Sequence, residues 1–294
     1  MKRSILKVLI VLMVLALVGM LRMPFEQKLT KELEEEHFIA PSFNLEDRAS
    51  LSQKGFVASF GSLRPGLAAL YALTSSGLHG RSDWAGLEDT FETVVLLDPY
   101  NAYYWDLGAW HLAYNAASST RENMEIPPLK RLQLAAEYRE KGGQFYDRGI
   151  RANPMSLSLR REKARLWSHP TRDPDYQKVA EVLEGALADL ELNVVQRERL
   201  ERELFYALLR TPERVEDAYH LGRRLFGNPK NRVPSLVNGL CVLQMHPRVR
   251  VETPLTLTQL YGDRETARRL LENYFTIEDD AKPMFGVKDL LDSL

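Results

Sequence analysis

The chain has 294 residues, 45% hydrophobic and 27% charged, which suits one or two folded domains and excludes a disordered chain or a multi-span membrane protein. With 39 basic against 40 acidic residues the formal net charge is -1, so no global field gathers nucleic acid. The single cysteine excludes an internal disulfide and any multi-cysteine metal site.

That average hides an asymmetric start. Lys2, Arg3, Lys7 and Arg22 are unopposed by any acid in the first 22 residues, which leaves 35 basic against 40 acidic residues in the rest. Val8 to Leu21 is an unbroken run of 14 apolar residues, Gly19 included. A basic start followed by an apolar run is an export signal. The run ends in Leu17, Val18, Gly19, Met20 and Leu21, without small residues at alternate positions, so residues 1–23 read as an uncleaved signal anchor. A cleaved signal leading to secretion is the alternative, because the run is short for a span of about 20 residues. The basic tail stays inside and the long remainder is exported, which in a bacterium means the periplasm.

Residues 24–60 read as a polar helical stalk and loop. Lys28 and Glu32, and Lys31 and Glu35, stand at i,i+4 on a strongly helix-forming stretch. Pro41 ends that pattern, and residues 41–52 read as a loop.

From residue 61 onward the chain reads as helices. They are expected near 64–79, 84–97, 100–117, 129–152, 156–168, 212–227 and 232–245. Val179, Val182, Leu183, Ala186, Leu187 and Leu190 form one apolar stripe, with Asp173 and Pro174 as cap and first turn. Leu200, Leu204, Ala207 and Leu208 form another. The opposite face alternates in sign from Arg197 to Glu203 and reads as a solvated, ion-paired surface. Cys241 lies in an apolar helical context and reads as a small buried hydrophobe. Residues 251–294 hold shorter helices that cap the array, with Asp263 as an N-cap.

Three helix junctions look alike: Asp98-Pro99, Asn153-Pro154 and Asn228-Pro229. Proline cannot continue the preceding helix but fits the turn into the next. Ten residues after each proline stands a small residue, Ala109, Ala164 or Gly239, which lets a partner helix approach closely. On these residues the segment 61–250 resembles the tetratricopeptide repeat family, whose unit is an antiparallel helix pair of about 34 residues. Trp105 matches the family's Trp position, and Ala109, Ala164 and Gly239 its Gly position. Trp167 matches its Tyr position. Tyr146 and Gly149 match the aromatic and small positions of a second helix. Arg160 and Ser235 stand where the family has Trp, and the family's lysine/asparagine carboxylate clamp is absent.

The resemblance implies an all-α fold: a tetratricopeptide-like helical-hairpin solenoid behind an N-terminal membrane-anchor helix. It implies a concave groove that receives a protein or peptide partner. By position, Tyr103, Asp106, Trp110, Arg161 and Arg165 would face that groove. An arginine pair beside aromatics suits an acidic or C-terminal segment. The expected role is a membrane-anchored adaptor or scaffold of the cell envelope. No cofactor, metal or nucleic acid is called for.

The chain carries no G-x-x-x-x-G-K-[ST], G-x-G-x-x-G, H-E-x-x-H or G-x-S-x-G motif. Its six histidines show no i,i+3 or i,i+4 pairing, and His111 reads as a packed or capping group. Asp279-Asp280 reads as loop surface. The alternative function is an exported cell-wall-acting enzyme, which would need a glutamate of raised pKa in an apolar cleft. Glu88, Glu92, Glu162 and Glu181 are helical, and nothing in the sequence singles one out.

Overall fold

The computed structural model describes residues 63–169, 173–277 and 281–294, with residues 24, 25, 28, 29, 31 and 32. The expected anchor over 1–23, the loop over 41–52, most of the stalk and the Asp279-Asp280 pair lie outside the described residues. Within the stalk, Lys28 and Glu32 do pair, at 3.7 Å and exposed to solvent. All regular structure among the described residues is helical, with no strand. Among them no helix is long and apolar enough to cross a membrane.

The packing divides the chain into two compact units, one ending at Pro154 and the other beginning at Met155. The boundary falls at one of the three proline junctions. It lies inside the segment 61–250 that the sequence reads as one array.

The first unit holds α1 (Arg64–Gly80), α2 (Trp84–Leu97), α3 (Ala102–Trp110), a π-helical stretch (His111–Ala116), α4 (Ala117–Glu122) and α5 (Pro128–Ala152). The starts follow capping chemistry. The Asp83 side chain accepts from Gly86 N–H before α2, and that of Asn101 accepts from Tyr103 N–H before α3. Pro128 opens α5, where its missing N–H costs nothing. Leu87, Phe91, Val94, Leu112, Phe145 and Tyr146 form the core. Gly142 lets α5 lie against Ala109 and Ala113, and Gly149 seats the Trp105 ring. The first junction is fastened by Pro99. Its carbonyl accepts from the Trp105 indole at 2.7 Å and from the Asn153 amide at 2.9 Å.

The expected helix over 100–117 runs further, to Glu122, and widens at His111–Ala116. There His111, Leu112 and Ala113 are all buried in succession, a run that an ordinary amphipathic stripe would not bury.

The second unit holds α6 (Leu157–Ser168), α7 (Tyr176–Asp189), α8 (Val194–Leu209), α9 (Val215–Phe226), a 3₁₀ turn (Pro229–Asn231) and α10 (Pro234–Met245). Three more helices follow, α11 (Leu257–Tyr261), α12 (Arg264–Thr276) and α13 (Val287–Ser293); α11 and α13 are short as expected, but α12, at 13 residues, is as long as its predecessors α9 and α10. Each helix from α6 to α10 packs on the next, and α8 also touches α10. The cap of α7 is Asp175, not Asp173. Its side chain accepts from Lys178 N–H at 3.0 Å, while Asp173 takes a positive φ of 50° in the turn before it. Asp263 does cap α12, accepting from Thr266 N–H at 2.7 Å.

The charged face of α8 is ion-paired as expected, but it is not all solvated. Glu201 is buried and accepts from Arg224 of α9 at 2.9 Å. Arg202 donates to the buried Asn231 at 2.6 Å, and Asn228 donates to Glu198 at 2.8 Å. The alternation of sign thus cross-links α8 to α9 and to the third proline junction. Cys241 is buried, and that burial pushes its thiol pKa up, away from nucleophile chemistry.

Candidate functional site

A groove of about 470 Å³ opens in the second unit, a volume in the range of ligand sites. Two stripes build most of it. Arg161, Ala164, Arg165 and Ser168 stand at i, i+3, i+4 and i+7 on α6. Glu203, Tyr206 and Ala207 of α8, with Arg210 as its C-cap, repeat that spacing. Tyr176, Val179 and Leu183 of α7 and Ser235 of α10 complete the lining. The buried Ala164, Val179, Leu183 and Ala207 supply apolar surface, and the two alanines leave the room between the arginines.

Three guanidinium groups therefore line the groove against one carboxylate. Arg161 Nη2 donates to Glu203 Oε1 at 3.0 Å, and Arg165 Nη1 donates to Glu162 Oε2 at 2.8 Å. Arg210 lies over the Tyr176 ring, 5.5 Å from its centroid, and donates to the Tyr206 carbonyl oxygen at 3.0 Å. The hydroxyls of Tyr206 and Ser235 are 2.6 Å apart. An arginine held on an aromatic face keeps its planar fork in one orientation. The site is suited to binding: it offers fixed cations, two tyrosine rings and an apolar floor.

Comparison with protein-family models, with curated proteins and with solved structures returns no match. The site's own geometry carries the functional reading.

Of the residues expected to meet a partner, Arg161 and Arg165 share this groove. The other three belong to the first unit. Tyr103 and Trp110 are exposed, at 62% and 44%. The Asp106 carboxylate accepts from the hydroxyl of the buried Tyr146 at 2.7 Å, so it ties α3 to α5. Tyr176, Glu203, Tyr206 and Arg210 were not singled out by the sequence. The repeated i, i+3, i+4, i+7 spacing, 42 residues apart, is the signal that finds Glu203, Tyr206 and Arg210, while Tyr176 at the start of α7 stands outside it.

The four glutamates weighed as acid catalysts all have donors. Glu88 pairs with Lys141 and Glu92 with Arg148, each at 2.6 Å. Glu162 takes Arg165, and Glu181 accepts from Gln177 at 2.9 Å. Among the described residues no group of three or more His, Cys, Asp or Glu is placed to hold a metal ion.

His111 is packed, as expected, but in company that sequence spacing does not show. It meets His79, Phe91 and Trp110 at ring separations of 5.5, 5.5 and 5.1 Å, and Asn115 hydrogen-bonds its Nδ1 at 3.0 Å. Burial, and then His79, lower its pKa from 6.5 to about 4. The folded chain thus resists protonation of a group that the unfolded chain protonates near pH 6.5. That contribution is fully present above pH 6.5 and is lost as pH falls towards 4. We expect His111→Gln to flatten the fall in stability between pH 7 and pH 4 by an amount on the order of 2 kcal/mol. Urea titrations of both chains at pH 7, 5.5 and 4 check this, and parallel pH profiles would refute it.

Proposed function

We propose that the protein is a membrane-anchored interaction module of the cell envelope. It is built of tetratricopeptide-like helical hairpins, and its second unit receives an acidic segment of a protein partner. The observation that carries this reading is the groove of α6, α7, α8 and α10, where Arg161, Arg165 and Arg210 stand around an apolar floor. Charge-assisted bonds from arginine to carboxylate give such a site orientation and specificity, and the tyrosines and floor give it buried area. The close approaches at Gly142, Gly149, Gly222 and Gly239 support the hairpin reading. The basic, apolar start of the sequence supports the anchor.

One capture experiment tests both parts. The full chain, tagged at its C terminus, is recovered from the detergent-solubilised membrane fraction and its partners are identified. The expected result is a partner that wild type retains and Arg161→Glu/Arg165→Glu loses, about tenfold or more in yield. Absence of the chain from the membrane fraction would overturn the anchor. A partner held equally by the charge-reversed chain would overturn the groove.

A further inference from the structure

We infer that Glu203 is a displaceable plug, an internal carboxylate that holds the place of the partner's. This rests on the groove being the partner's site. The inference comes from how incompletely Glu203 uses Arg161. A carboxylate meeting a guanidinium side-on takes two N–H groups, those of Nε and Nη2. Glu203 takes only Nη2, at 3.0 Å, and the buried Arg161 Nε has no hydrogen-bond partner. A buried N–H left unpaired carries a desolvation cost that a better-seated acceptor removes.

Glu203 also has somewhere to go. The same oxygen, Oε1, accepts from Arg199 Nε at 3.2 Å, one turn back on α8. Arg199 does not line the groove. A side-chain rotation that keeps the Arg199 bond and breaks the Arg161 bond opens the Nε–Nη2 edge; Glu203 stays paired with Arg199, and the incoming group takes over the charge of Arg161. The incoming group must then be a carboxylate able to take both N–H groups. Its backbone neighbours lie over the apolar floor, and Arg165 of the α6 wall lines the same groove within reach of a further acidic group. An acidic peptide meets these demands, and a single acid competing with Glu203 would gain little. The plug thus sets a threshold that favours partners with several acidic side chains.

The test uses the full 294-residue chain in mild detergent and fluorescence anisotropy of a labelled, end-blocked octapeptide of alternating Glu and Leu. Wild type should bind it, Glu203→Gln five- to tenfold more tightly, and Arg161→Gln more weakly. The decisive comparison is the double variant Arg161→Gln/Glu203→Gln, which should bind no more tightly than Arg161→Gln alone. An equal gain from Glu203→Gln in both backgrounds would show a bulk charge effect and overturn the plug. So would the absence of any gain in the single variant, with the groove reading intact as long as Arg165→Gln weakens binding. A second probe, Gln for Glu with a free C terminus, separates side-chain from terminal carboxylates. Its binding in place of the first would overturn the multi-acid partner. If neither probe binds any variant, the groove reading itself fails.

Discussion

Phe205→Ala is expected to cost about 3–5 kcal/mol of stability, the range for truncating a fully buried aromatic ring. Phe205 has no exposed surface and lies at the meeting of α8, α9 and α10. A Cβ on Gly222 would come within 2.6 Å of its ring, and one on Gly239 within 3.0 Å. The two neighbouring helices have therefore given up side chains to admit the ring. When the ring is removed, those glycines have nothing with which to fill the space; Leu209 and Leu240 stand beside them. Incomplete collapse is what raises the cost of a cavity above the transfer term. Phe205→Leu, which keeps most of the volume, should lose much less, about 1–1.5 kcal/mol. Guanidinium titrations at constant slope check the pair, and equal losses would refute the cavity account.

Gly142→Ala is expected to lose about 2–3 kcal/mol net, although alanine by itself favours the helix by about 1 kcal/mol. The added Cβ would sit 2.5 Å from Ala113 Cβ and 2.8 Å from the Ala109 carbonyl oxygen. Neither group can swing aside, since one is backbone and the other is fixed to it. Helix α5 must shift as a body, and the Phe145 and Tyr146 packing shifts with it. Gly185 supplies the contrast. A Cβ there meets only the Arg160 Nη1 atom, at 3.5 Å, so Gly185→Ala should stabilise by up to about 1 kcal/mol. Opposite signs at two mid-helix glycines would confirm the packing account. A gain at both would refute it.

The helices themselves were legible because burial imposes a 3.6-residue rhythm on the sequence. The stripe from Val179 to Leu190 and the junctions at Pro99, Pro154 and Pro229 set most boundaries within a few residues. The contents of the turns were less legible. Asp173 and Asp175 are equally good caps on paper, and only the chain path decides which carboxyl reaches an N–H. The π-helical stretch at His111–Ala116 has no local propensity signal, and it buries His111, Leu112, Ala113 and Ala116 together. Of the groove, Arg161 and Arg165 are legible in the sequence and the α8 wall is not. Arg197 to Glu203 looks like a solvated salt-bridge face when read along one helix, yet Glu201 pairs with Arg224 of α9, and Glu203 reaches Arg161 of α6 as well as Arg199 of its own helix. Pairings between residues 23 and 42 positions apart leave no periodicity to read.

The last turn of a helix ordinarily opens on its own, since its carbonyls lack partners and its contacts are few. The end of α5 is denied that freedom. Asn153 donates to the Gly149 carbonyl within its own helix and to Pro99, which also holds the Trp105 indole at the start of α3. A proline carbonyl has two lone pairs, and here both are occupied. Two helix ends, joined through residues 54 positions apart, are tied at a single oxygen. Fraying at either end strips a bond from the other, so the first turn of α3 and the last turn of α5 are expected to exchange their amide hydrogens together, as one cooperative clasp.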